Sequence, residues 1–240
     1  MNALDFKSVH WGSDEAKGDD DLANYFVKPP EYDDIFIGKK RYVVGRKGTG
    51  KSAVIQRLKL QAEADPLAFF SDLTLRDFPL HDLRDLGDKS QRDKSKYTPV
   101  WVFLIYVEIV KQIARDNGAC GTGDLEELKD FIAINNLSSN VGFIHTLKEL
   151  RKNNAKLKIS ATWLEGEAGS ERSSESVIAV HYNKVVKALE AKLLAIKSES
   201  VYWLFVDELD EGFRAGDQSF RLLLLALIRA VEDSSIQLRR

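Results

Sequence analysis

Two short stretches of the chain carry residue types that could handle a phosphate and a metal ion. In the first, Gly45, Gly50, Lys51 and Ser52 stand in the order G-x-x-x-x-G-K-S within residues 41–52, RYVVGRKGTGKS. This is the Walker A spacing. Glycines let backbone N–H groups turn inward around phosphate oxygens, and the start of a following helix adds partial positive charge at the same place. Lys51 would reach the β and γ phosphates, and the Ser52 hydroxyl would face a magnesium ion bridging them. The candidate nucleotide contacts are therefore Gly45, Arg46, Lys47, Gly48, Thr49, Gly50, Lys51, Ser52 and Ala53.

The second stretch is residues 201–210, VYWLFVDELD. An apolar run of strand length ends in acids, the Walker B arrangement. Carboxylates placed there emerge at the C-terminal edge of a buried strand, where ligands of open α/β sheets bind. Asp207 is the expected magnesium ligand, directly or through water. Glu208 is the expected catalytic residue beside Lys51, orienting the attacking water. Asp210 is a weaker third acid. A buried strand ending in a solvated Asp is common, so the reading draws its strength from the loop upstream.

Elements must position these groups. Tyr42, Val43 and Val44 are strand formers leading into the loop, and residues 52–64 put Val54, Ile55, Leu58 and Ala62 on one helical stripe. Asp65-Pro66 ends that helix, and residues 67–70 read as a second strand. Residues 71–96 are heavily charged and read as an irregular excursion. Thr98-Pro99 then supplies an N-cap and a proline at the first helical position. The apolar run 100–107 has strand composition, but Ile109, Val110, Ile113 and Ala114 continue a helical period, so a helix to about residue 117 is expected.

Residues 119–176 read as a largely helical insertion, with helices at about 124–134 and 141–153 and a strand within 157–163. Arg151, Lys152, Lys156 and Lys158 form its densest basic cluster, either a nucleic-acid or protein contact or a solvated helix end. Residues 166–176 have loop composition, and a helix from about 177 to 197 returns to the core. The expected organisation is a polar lead-in at 1–24, a core made of 25–118 and 177–240, and the insertion between them. Near the start, Asp20 or Asp21 caps a short helix that Pro29-Pro30 breaks.

Composition limits the alternatives. With 240 residues, 44% hydrophobic and 30% charged, the chain can bury a core, and a net charge of −2 argues against coating nucleic acid by electrostatics alone. Cys120 is the single cysteine, which leaves no disulfide framework and no Cys-based zinc site and suits a cytoplasmic location. The first residues lack the apolar core of a signal peptide, and the run 100–107 is too short to span a bilayer, so no membrane contact is expected.

GRKGTGKS at 45–52 together with VDELD at 206–210 resembles P-loop ATPases of the additional-strand, catalytic-glutamate division, which includes AAA-like, STAND and KAP proteins. The resemblance covers mainly residues 20–60 and 200–232. It implies a P-loop three-layer α/β sandwich with a mostly parallel sheet, in which a further strand with a polar sensor residue separates the Walker A and Walker B strands. It also implies ATP and Mg²⁺ as cofactors, and Tyr32, Ile35 or Phe36 as a wall for adenine. After Walker B the pattern is not followed. Asp217 caps a helix at 218–232, and the segment from Ile236 could only begin the intervening strand, so an incomplete C-terminal part is expected. Arg214, Arg239 and Arg240 are γ-phosphate candidates, with surface ion pairs as the plainer role.

The implied activity is Mg-dependent ATP binding and hydrolysis by a motor or switch subunit, with a protein partner or a second copy in a larger assembly. A small-molecule kinase, with Arg172 as a lid candidate, and a non-hydrolysing nucleotide-binding module are the alternatives. A GTP switch would want Asn-Lys-x-Asp, whereas Asn183-Lys184 is followed by two valines; an ABC-type signature Leu-Ser-Gly-Gly is absent.

Overall fold

The computed structural model describes residues 16, 18, 19, 21–75, 78–88, 90–121, 123–137, 142–160, 163, 177–209 and 217–237. It is a mixed α/β structure with nine α-helices and four strands among those residues. The chain divides into two compact units, Met1–Pro66 and Leu67–Arg240.

The first unit holds α1 (Leu22–Tyr25), α2 (Tyr32–Phe36) and α3 (Lys51–Glu63). Val54, Leu58 and Ala62 form the buried stripe of α3, spaced four residues apart as a helix face requires. Tyr32 is 1% exposed, donates its hydroxyl hydrogen to Gln61 Oε1 at 3.1 Å and meets Phe26 edge-on. It therefore packs against α3, and its ring is not available as an adenine wall; Ile35 and Phe36 are half-buried. Asp21 sits at the N-cap of α1, but its carboxylate accepts from the Asn24 side chain and not from the helix backbone. The strand expected at 42–44 is not formed. Val44 is 93% exposed, and no ladder takes up the backbone groups of residues 41–46. Strand propensity in three residues specifies nothing until a neighbouring strand accepts their N–H and C=O groups.

The second unit is built around α5 (Thr98–Arg115). This helix is buried nearly all round, as its continuous apolar run at 100–107 requires, and α6 (Asp124–Ile134), α7 (Phe143–Lys152), α8 (Tyr182–Ala195) and α9 (Gln218–Gln237) all pack on it. Pro99 stands in the first turn, where its missing N–H costs nothing. Thr98 is the first helical residue, not the cap, and donates its hydroxyl to Lys94 C=O. Trp101 stacks on Phe78 and donates Nε1–H to Leu223 C=O at 3.1 Å, tying α5 to α9.

β1 (Ala68–Thr74) and β4 (Val201–Asp207) form a two-stranded parallel sheet, in register from Ala68↔Val201 to Thr74↔Asp207. Residues 71–74 thus belong to a strand, and α4 (Leu80–Leu86) gives further order to a region expected to be irregular. Charged composition misled there because Leu73, Leu75 and Leu83 are fully buried between charged neighbours. β2 (Lys156–Ser160) and β3 (Val177–His181) pair antiparallel, with Leu157 opposite Val180 and Ile159 opposite Ile178. The helix expected from 177 therefore begins at Tyr182. The preceding five residues alternate between the strand faces, and β2 supplies the partner that favours a strand. α9 runs through Gln237, so Ile236 is helical and does not begin a strand.

Candidate functional site

The loop lies wholly within the first unit. Gly48 and Gly50 both have φ of +81°, a backbone that L side chains rarely adopt, and a Cβ on Gly45 would collide with Thr49 Oγ1. Thr49 closes the turn on itself: its N–H and hydroxyl both reach Arg46 C=O, at 3.3 and 2.8 Å. Gly50 is the N-cap of α3, and the first intrahelical bond runs from Val54 N–H to Gly50 C=O. The N–H groups of Lys51, Ser52 and Ala53 precede it and are the ones a helix start offers to an anion. The Lys51 ammonium folds back across the loop and donates to Gly45 C=O at 3.1 Å and Arg46 C=O at 3.0 Å. Residues 41–50 and Ser52 are exposed to solvent.

The acids lie in the second unit. Asp207 is the last residue of β4 and the register partner of Thr74. Its Oδ1 accepts the N–H of Glu208 at 2.8 Å. Glu208 has φ of +57°, a left-handed backbone at a non-glycine residue, which turns the chain sharply off the strand end. Such strain costs on the order of 1–3 kcal/mol and concentrates where a side chain must be aimed. Asp210, Arg172, Arg214, Arg239 and Arg240 lie outside the described residues.

Of the basic cluster, Arg151 pairs with Asp82 and, at 3.3 Å, with Asp85, while Lys152 pairs with Glu149 at 3.4 Å. These charges are engaged in structural pairs of the helix end. Among the described residues no group of three or more His, Cys, Asp or Glu side chains is placed to hold a metal ion, and no helix is long and apolar enough to cross a membrane.

Two features escaped sequence reasoning. An open cleft of about 410 Å³ lies at the C-terminal end of β1, with Asp72 and Thr74 on one wall and Phe143, His145 and Lys148 on the other. The second is a buried polar stripe on α5. Lys111 Nζ donates to Glu108 Oε1 at 2.6 Å and to Thr146 Oγ1 at 3.0 Å, and Gln112 Nε2 donates to Ser71 Oγ at 3.2 Å and to Trp203 C=O at 2.9 Å. Burial pulls the Lys111 ammonium below its ordinary pKa and pushes the Glu108 carboxyl above its own, while each opposes the other's shift through its charge. The signal was in the sequence: positions 108, 111 and 112 share one face of a helix with no room for a solvent face.

Comparison of the chain with protein-family models, with curated proteins and with solved structures finds no match.

Proposed function

We propose that the chain binds Mg·ATP through residues 45–53 and hydrolyses it, as the motor or switch subunit of a larger assembly. The observation that carries this reading is the conformation of the loop. Two glycines at positive φ, a third where a Cβ would collide with Thr49 Oγ1, and a lysine ammonium held on loop carbonyls at the head of a helix are parts that a phosphate cradle uses. Each residue expected at the metal, Ser52 in the first unit and Asp207 in the second, carries the kind of hard oxygen donor that Mg²⁺ prefers.

When bound, magnesium neutralises charge on the β and γ phosphates. Lys51 would leave its neutral carbonyl acceptors for phosphate oxygens, exchanging dipole contacts for charge-assisted ones. Glu208 would orient the attacking water. The parallel pairing of β4 with β1, the strand that follows the loop's helix, supports a parallel-sheet α/β architecture, the coarser part of the P-loop sandwich.

Isothermal calorimetry with ATP on Lys51→Ala tests the binding half: most affinity should vanish, and unchanged binding refutes the loop assignment. Glu208→Gln tests the turnover half. Binding should persist while hydrolysis falls on the order of 10²–10³-fold, the usual loss on removing one preorganised catalytic group. A small-molecule kinase, which would use the same loop together with an acceptor pocket, is the second reading. Phosphate release measured with and without candidate acceptors separates the two, and nucleotide binding without turnover favours a non-hydrolysing module.

A further inference from the structure

We infer that Gln112 is a positioning residue that locks the register of β1 and β4 and so sets where Asp207 and Glu208 emerge; its consequence for turnover rests on the function proposed above. The Gln112 side chain is fully buried, and its one carboxamide nitrogen bridges both strands, donating to the Ser71 hydroxyl on β1 and to the Trp203 carbonyl on β4. Ser71 is the register partner of Leu204, so the two acceptors lie side by side at the middle of the ladder.

A parallel pair needs such a lock. Side chains alternate with a period of two, so a slip of one residue would move Asp207 by about 3.3 Å along the strand and turn it to the opposite face. Apolar contacts alone discriminate poorly between registers here, because both faces of β4 are apolar, with Tyr202, Leu204 and Val206 packed on the core and Trp203 stacked on Phe205. A hydrogen bond to one particular carbonyl discriminates well. The cost of the device is visible: Gln112 Oε1 is buried and meets no donor among the described residues. A helix that needed only to pack on the sheet would be served better by a methionine.

The next turn of α5 extends the same polar stripe, where Lys111 joins Glu108 to Thr146 on α7. Within this stripe, Gln112 reaches the acid-bearing strand through the Trp203 carbonyl.

The test uses the full chain and the variant Gln112→Met, which keeps the volume and removes the donor. Amide hydrogen exchange across Val201–Asp207 should quicken about tenfold while α6 and α8 exchange as in the parent. In the hydrolysis assay, the Mg²⁺ concentration for half-maximal rate should rise about tenfold, the effect expected of a displaced carboxylate ligand, with the ATP requirement unchanged. Parent-like exchange in β4, or exchange that rises equally throughout the unit, overturns the inference. A parent-like Mg²⁺ midpoint in the variant also overturns it. If the parent itself does not hydrolyse ATP, the proposed function falls, and the exchange measurement still decides the register lock. If Gln112→Met does not fold, Ser71→Ala removes one of the two acceptors together with the hydrogen bond from Ser71 to Glu108; a smaller rise in exchange confined to β1 and β4 supports the lock, and none, or a rise that spreads through Lys111 and Thr146 into α7, refutes it.

Discussion

The sharpest stability prediction concerns Lys111→Met. The Lys111 ammonium and the Glu108 carboxylate lie 2.6 Å apart, with side chains 2% and 4% exposed. Removing the cation takes the largest opposing charge from a carboxylate that cannot reach water, and leaves it the Ser71 hydroxyl and the field of Arg115. The cheapest response is protonation, since burial already pushes the Glu108 carboxyl above its ordinary pKa and the Lys111 charge that opposed this is gone. The expected loss at pH 7 is the roughly 3–5 kcal/mol typical of a broken buried pair. The sign of the pH dependence follows. A carboxyl whose folded-state pKa is raised binds more protons folded than unfolded, so its penalty is absent below pH 4.5 and grows as pH rises. At pH 5 it should be only a small part of the loss at pH 7. Urea unfolding followed by tryptophan fluorescence, run on parent and variant at both pH values, measures the difference. The double variant Glu108→Leu/Lys111→Met should recover most of the loss, because two apolar side chains carry no orphan charge. A loss below about 1 kcal/mol at pH 7, or one equal at both pH values, would show that the pair is solvated and the reasoning wrong.

The remaining predictions are shorter. Asp116 is held at a pKa of about 2: burial works to raise it, but hydrogen bonds from Ser198, Tyr202 and the Gly118 N–H outweigh that effect. Its contribution is therefore complete above the ordinary carboxylate value and lost as pH falls toward 2, and Asp116→Asn should flatten acid unfolding in that window while lowering stability at pH 7. Gly50→Ala places a side chain at φ +81° and should cost about 1–2 kcal/mol together with most ATP affinity, read by urea unfolding and calorimetry. Glu208→Gly relieves the left-handed strain, so it should abolish hydrolysis without lowering the urea midpoint; a clear destabilisation would mean the strain is compensated locally. Asp207→Asn should leave ATP binding without Mg²⁺ unchanged and raise the Mg²⁺ requirement for hydrolysis; an unchanged requirement would remove it from the metal site.

What could be read in the sequence was whatever near neighbours decide. The positive φ at Gly48 and Gly50, the helix starting at Lys51, the proline in the first turn of α5 and the strand ending at Asp207 all depend on residues a few positions apart. Asp217 belongs with them, since its carboxylate caps α9 by accepting the N–H groups of Ser219 and Phe220. Strands away from that strand end were less legible because a strand exists only through its partner. Val43 and Val44 have strand composition and form none, whereas residues 177–181 read as helix and pair with β2. Tyr32 shows the same limit for side chains, since nothing local says whether an aromatic ring will be covered by Gln61 or left open to a ligand.

The polar stripe on α5 lies between these cases. Glu108, Lys111 and Gln112 sit at i, i+3 and i+4, the spacing that on an ordinary surface helix marks the solvated face. Yet the flanking residues from Val100 to Ile113 are apolar on every side, so a solvated face would leave large side chains in water around the whole circumference. The two demands are reconciled only if the polar stripe is buried and its partners come from elsewhere in the fold, here Ser71, Thr146 and the Trp203 carbonyl. Polar groups that are expensive to bury persist where they select one arrangement over its near-degenerate neighbours, and a parallel strand ending in Asp207 is where such selection matters most. The loop and the acids therefore make separable demands on the molecule. Affinity should follow the backbone of residues 45–53, and metal use should follow the register of β4, so Lys51→Ala and Gln112→Met are expected to fail in different assays.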